Sequence, residues 1–167
     1  KAKKFYSVSL GIYKDLNSGE SEDVKVLQSY SSCLIMRGRV MSECNPKGAI
    51  KHFYFVALPI ISRLSEEDPS AYSRLNYAVA LECIGIAYTA VKDFPAADDY
   101  LNRALRIREQ VYAETHSLYS LRDTGISYEK LGDLYFSGEK YEKSLEYFSK
   151  SAAIRREIVK VSDLSGD

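Results

Sequence analysis

The residues that could do chemistry in this chain are few and scattered. Only two histidines occur, His52 and His116, and neither has a Glu or Cys at metal-ligand spacing. A catalytic base needs a partner within hydrogen-bond reach, so both read as ordinary surface or rim residues, His52 on a helix and His116 in a turn. No serine sits in a GxSxG turn, and the chain has no P-loop, GxGxxG or HExxH pattern. Gly125 and Gly132 fall inside a predicted helix and form no phosphate loop. The carboxylate pairs Glu66-Glu67 and Asp98-Asp99 are sequence neighbours, which on a helix diverge by about 100°. Arg103, Arg106 and Arg108, with Arg155 and Arg156, are interleaved with Glu109 and Glu157, and read as paired charges on a solvated outer face. Cys33, Cys44 and Cys83 are odd in number and lack CxxC spacing, so they read as reduced, partly buried packing thiols. The expectation is a protein with no catalytic residues, no cofactor and no metal site.

Charge balances at 23 basic against 23 acidic residues, and no basic stripe emerges to bind nucleic acid. The longest apolar run, Phe53 to Ile61, is interrupted by Pro59 and falls well short of the roughly 20 residues that span a bilayer. Lys1-Ala2-Lys3-Lys4 is basic, but Phe5 to Ile12 lacks the apolar core and cleavage site of a signal peptide. The expectation is a soluble, cytoplasmic chain without a membrane partner, cut from a longer protein because it lacks an initiator methionine.

Apolar residues return at intervals of three and four, as in Leu81, Ile84, Ala87, Tyr88 and Val91, and no segment alternates with period two. The chain therefore reads all-α. Breakers and caps predict helices near 3–17, 22–44, 47–65, 70–92, 95–113, 117–137 and 140–162. The turns at Asn17-Ser18-Gly19, Asn45-Pro46-Lys47-Gly48, Asp68-Pro69-Ser70, Asp93-Phe94-Pro95 and Ser137-Gly138 fit, since Gly supplies positive φ and Pro starts a helix. The turn from Ala113 to Ser117 has neither residue.

Gly38, Gly85 and Gly132 recur at 47-residue spacing, each in an aliphatic and tyrosine-rich run. Phe5, Val8, Leu10, Ile12 and Leu16 recur 48 residues later as Phe53, Val56, Leu58, Ile60 and Leu64, which marks the first helix as half a repeat. The one-residue difference falls where a short connection can absorb it, since Cys44-Asn45-Pro46 is shorter than its counterpart at 91–95. A fixed period of this size is the mark of stacked helical repeats.

Within each pair of helices the residues resemble the tetratricopeptide repeat, which sets a large residue, Leu-Gly and Tyr on one helix and Ala, an aromatic and Ala on the next. The middle copy reads Leu81, Ile84-Gly85 and Tyr88, then Ala97, Leu101 and Ala104. The last reads Tyr128, Leu131-Gly132 and Tyr135, then Ser144, Phe148 and Ser151. The first reads Leu34, Arg37-Gly38 and Met41, then Ala49, Phe53 and Val56. HEAT and armadillo units also run 40–47 residues, but the Gly and Tyr offsets favour the tetratricopeptide pattern. The family unit is 34 residues, so the extra 13 must lengthen the helices. The resemblance implies an α-α superhelix of seven antiparallel helices, one orphan outer helix and three pairs. Its units are a half repeat over 1–21 and repeats over 22–66, 69–114 and 116–162. The small residue at Gly38, Gly85 and Gly132 lets paired helices approach, and the aromatics fill the wedge above. Overall resemblance to long-helix repeats of bacterial proteins implies a bacterial source.

Members of the family hold peptides along their inner helices. Carried over residue by residue, the groove candidates are Ile35, Arg39, Ser42 and Glu43, then Glu82, Ile86 and Thr89, then Glu129, Asp133 and Phe136. One turn upstream lie Gln28, Leu75 and Arg122. This wall mixes acids and apolar anchors, and suits a basic or amphipathic segment better than an acidic tail. Relatives that clamp a chaperone's terminal carboxylate use several basic residues. The matching positions here carry Ile35, Arg39, Cys83, Ile126 and Lys130, which is too few for that clamp. The resemblance thus implies a non-enzymatic module that binds a protein or peptide in its groove. Two other roles stay open: a structural or oligomerising spacer, with end-to-end self-association, and a regulatory domain sensing a short peptide.

Overall fold

The computed structural model describes residues 24–164, with side chains to Val161. The predicted helix at 3–17, its turn at Asn17-Ser18-Gly19 and the half repeat over 1–21 lie outside the described residues. Six helices follow: α1 (Val24–Cys44), α2 (46–67), α3 (Ala71–Ala90), α4 (Phe94–Thr115), α5 (Leu118–Ser137) and α6 (Tyr141–Leu164). There is no strand among the described residues. The largest contacts join α3 to α4 and α5 to α6, with α4 against α5 next, so each helix packs on its chain neighbours. This is the all-α stack of helix pairs that the 47-residue period predicts.

The turns are built by short side chains satisfying the free N–H groups of the next helix. Asn45 accepts from Gly48 N at 3.0 Å, Ser70 from Ser73 N at 3.3 Å, Asp93 from Ala96 N at 3.3 Å and Ser117 from Ser120 N at 3.1 Å. The turn with neither Gly nor Pro closes because His116 takes the left-handed conformation, φ 48°, next to the Ser117 cap. The positive φ expected of a turn glycine falls elsewhere. Gly138 sits at φ −91°, and Lys92 and Glu139, 47 residues apart, carry φ 63° and 58°.

The glycines at 47-residue spacing are where paired helices touch. A Cβ on Gly38 would lie 2.2 Å from the Phe53 ring, on Gly85 2.6 Å from Leu101 Cγ and on Gly132 2.6 Å from the Phe148 ring. Above them Tyr88 stacks on Tyr100 with centroids 5.6 Å apart, and Tyr135 on Tyr147 at 5.3 Å.

The first repeat departs from the pattern in one place. Its outer helix, α2, runs as Pro46–His52, a π turn over Phe53–Ala57, and Leu58–Glu67. A π turn holds one extra residue, which offsets the shorter connection at Cys44-Asn45-Pro46 and restores the 47-residue period. The buried small residue of this repeat is consequently Ala57, fully buried, and not Val56, which is 40% exposed. Tyr54, Phe55 and Val56 are turned out to solvent.

Candidate interaction groove

The inner helices α1, α3 and α5 lie side by side and line a trough. One cavity of about 370 Å³ is walled by Arg39, Ser42 and Glu43 of α1, Glu82, Cys83 and Ile86 of α3, and Ile126 and Lys130 of α5. A second of about 290 Å³ continues along α3 and α5 past Thr89 and Asp133. The two share Ile86 and Lys130, so they form one surface.

The structure brings Arg39, Glu43, Glu82, Ile86, Thr89 and Asp133 to this trough, as the family offsets imply, and Ser42 with them. It does not bring all the candidates there. Ile35 is buried in the core with Phe53 and Ile61. Leu75 is buried too. Gln28 is tied to Asp68 at the α2–α3 turn. Arg122 lines a separate hollow with Ile154 and Arg155, between α5 and α6. Glu129 is ion-paired with Arg155 of α6. The Phe136 ring meets Tyr141 at 5.7 Å, at the α5–α6 turn.

Sequence reasoning mistook the charge of the trough. Glu82 is almost wholly buried and ion-paired with Arg108 of α4, whose guanidinium also donates to Ser127 Oγ of α5 at 2.6 Å. Arg108 is therefore no solvated residue of an outer-face cluster. It is 2% exposed, and its Nε has no acceptor among the described residues. Asp123 of α5 is buried beside this pair, and burial pushes its carboxyl above the ordinary range, against the pull of Arg108 and Arg122. Lys130 donates to Asp133 at 3.0 Å. Burial opposes its charge, but Asp133, Glu129 and Glu82 outweigh burial and hold the ammonium above its ordinary range. Arg39 and Glu43, exposed on α1, form no ion pair among the described residues. Lys130 and Ile126 face the trough from α5, at positions noticed in the sequence only as clamp positions.

His52 and Cys44 sit otherwise than expected, while Cys83 is the packing thiol the sequence implies. His52 is buried, 6% exposed, with Nε2 2.9 Å from Leu34 O. Burial pulls its pKa below the ordinary histidine range, opposed by that hydrogen bond and aided by Arg37. An apolar α1–α2 seam, read from letters alone, gave no hint that its rim histidine would turn inward onto a carbonyl. Cys44 is exposed. Cys83 is a buried packing thiol, its pKa pushed up to about 12 by burial and by Glu82.

Among the described residues no group of His, Cys, Asp and Glu could hold a metal ion, and no helix is long and apolar enough to cross a membrane. Paired antiparallel helices stacked at a fixed period, with a trough along the inner ones, define a helical-repeat protein of the kind that holds other polypeptides. Residues 76–157 carry tetratricopeptide repeats: the model of that family matches them. No curated protein matches the chain. The match covers the two repeats whose letters follow the pattern most closely. Members of the family are protein-interaction modules, and that general role extends to this chain.

Proposed function

We propose that the chain is a non-enzymatic module that binds a peptide or protein segment along α1, α3 and α5. The carrying observation is the continuous trough that Ile86 and Lys130 join, with apolar Cys83, Ile86 and Ile126 between polar rims. Apolar anchors supply most of the energy of such contacts and charges set their register. Because Arg108 neutralises Glu82 and Lys130 neutralises Asp133, the trough is not acidic. Among the described residues, the charges of the trough without an ion pair are one cation, Arg39, and one anion, Glu43. An amphipathic segment with a buried aliphatic or aromatic anchor therefore suits the trough better than a strongly basic one.

The test is selection of peptides from a displayed random library on the purified chain, followed by titration against Ile86→Lys and Arg39→Glu. Both side chains are exposed, so the variants keep the parent's circular dichroism. Amphipathic peptides are expected to be enriched and to lose at least tenfold in affinity, about 1.4 kcal/mol, on either change. No enrichment, or binding indifferent to both substitutions, would sink the reading and favour a structural spacer.

A further inference from the structure

The outer helices are built in one register, and the last of them uses only part of it. On α4 the residues that receive α5 include Phe94, Asp98, Leu105, Arg108 and Glu109. Asp98 accepts from Tyr135, Arg108 donates to Ser127, Glu109 accepts from Tyr128 at 2.7 Å, and Leu105 joins the cluster with Leu131 and Leu134. Forty-seven residues later, α6 carries Tyr141, Leu145, Ala152, Arg155 and Arg156. The register holds in detail on the near side. Arg155 pairs with Glu129 of its own repeat as Arg108 pairs with Glu82, each 26 residues apart. On the far side Leu145 is 68% exposed, Tyr141 57%, and Arg155 and Arg156 point to solvent. Ile158 is only partly buried, whereas Val111, its counterpart, is 1% exposed.

We infer that this face of α6 is a docking surface for an amphipathic α-helix of acidic and aliphatic character, lying as α5 lies on α4. The surface continues an established interface, which fixes the partner's letters. Where Arg108 meets Ser127, Arg155 calls for a hydroxyl or carboxylate. Where Glu109 meets the Tyr128 hydroxyl, Arg156 reverses the chemistry and calls for a carboxylate at the next position. Where Asp98 meets the Tyr135 hydroxyl, Leu145 calls for an apolar side chain. The partner helix thus carries two successive oxygen acceptors, then aliphatic residues four, seven and eight positions on, matching Leu131, Leu134 and Tyr135. The inner helix of a second copy does not meet this description. At the matching positions α1 has Cys33 and Leu34 for the two acceptors and Arg37 for the first aliphatic, so it offers no oxygen to Arg155 or Arg156 and brings a cation to the apolar position.

The probe is a hydrocarbon-stapled helix in that pattern, beside a charge-swapped twin with lysines in place of the acids. Both are titrated against the 167-residue chain and the variants Leu145→Asp, Arg155→Glu/Arg156→Glu and Ile86→Lys. The acidic helix is expected to bind the parent and to weaken at least tenfold on either α6 change, while the twin gains on the arginine reversal. Ile86→Lys should leave both unchanged, which separates this surface from the trough. No binding of the acidic helix, or equal binding of both helices to every protein, would overturn the inference. So would sedimentation showing a dimer that Leu145→Asp dissolves, since a second copy would then be the occupant.

Discussion

At the scale of single residues, the seams between repeats are solved twice with different chemistry. Between the first and second repeats the positions are Ile35, Ile61, Asn76 and Ala80. Between the second and third, 47 residues on, they are Glu82, Arg108, Asp123 and Ser127. Ile35, Ile61 and Ala80 are buried, as are all four residues of the polar set. A buried pair gains little over apolar residues of like volume, but removing one partner strands the other in a low-dielectric site. Arg108→Met alone should therefore cost about 3–5 kcal/mol, because Glu82 and Asp123 are left as buried acids without their cation. The fourfold change Glu82→Ile, Arg108→Ile, Asp123→Asn and Ser127→Ala, copying the first seam, should return to within about 1 kcal/mol of the parent or exceed it. Urea unfolding at neutral pH measures both. Equal losses in the two proteins would show that the polar seam is needed for the fold and is not interchangeable. The letters Glu82 and Arg108 gave no sign of this pairing, since residues 26 apart meet only once α3 and α4 have packed together.

At the scale of elements, the π turn of α2 sets which aromatic reaches Gly38. Counted back from buried Ala57 at α-helical spacing, Tyr54 would take that place. With the extra residue it is Phe53, which is fully buried, while Phe55 is 74% exposed. Deleting Phe55 should convert α2 to an uninterrupted α-helix with Phe53 and Ala57 still in their sites, and change stability by no more than about 1 kcal/mol. The corresponding deletion of Asn102 in α4 has no spare residue to absorb it. It rotates Ala104, Arg108 and Val111 by about 100° off the core and should cost more than about 3 kcal/mol. Thermal melts of the two deletions decide the matter, and similar losses in both would refute it. The helix boundaries were legible because Asn45, Ser70, Asp93 and Ser117 are short polar caps before apolar runs. The π turn was visible only as a one-residue discrepancy, which the sequence placed in a loop because loops are the cheaper place for it.

At the scale of the whole molecule, each helix pair rests on its neighbours, so stability should peak in the interior of the stack. Helices α3, α4 and α5 are covered on both sides, whereas α6 leaves Leu145 and Val159 more than half exposed. Amide exchange should be slowest in α3–α5 and fastest toward the end of α6. Uniform protection across the described helices would mean that the stack unfolds as one unit. A bound stapled helix on α6 should raise protection in α6 first, and a trough ligand should raise it in α1, α3 and α5.

The sequence by itself determined the helices, their pairing and the close approach at Gly38, Gly85 and Gly132, because these follow from local periodicity and from a repeat that displays itself three times. It also located most of the trough, since residues on one face of an inner helix are fixed by helical geometry alone. Only the tertiary structure decided the charge of that trough, the burial of His52 and the direction in which Phe136 points. Those depend on which residue of another helix stands opposite. An acid and an arginine look alike in a sequence whether they face water or each other, and burial is a property of the neighbours that a helix acquires when it packs.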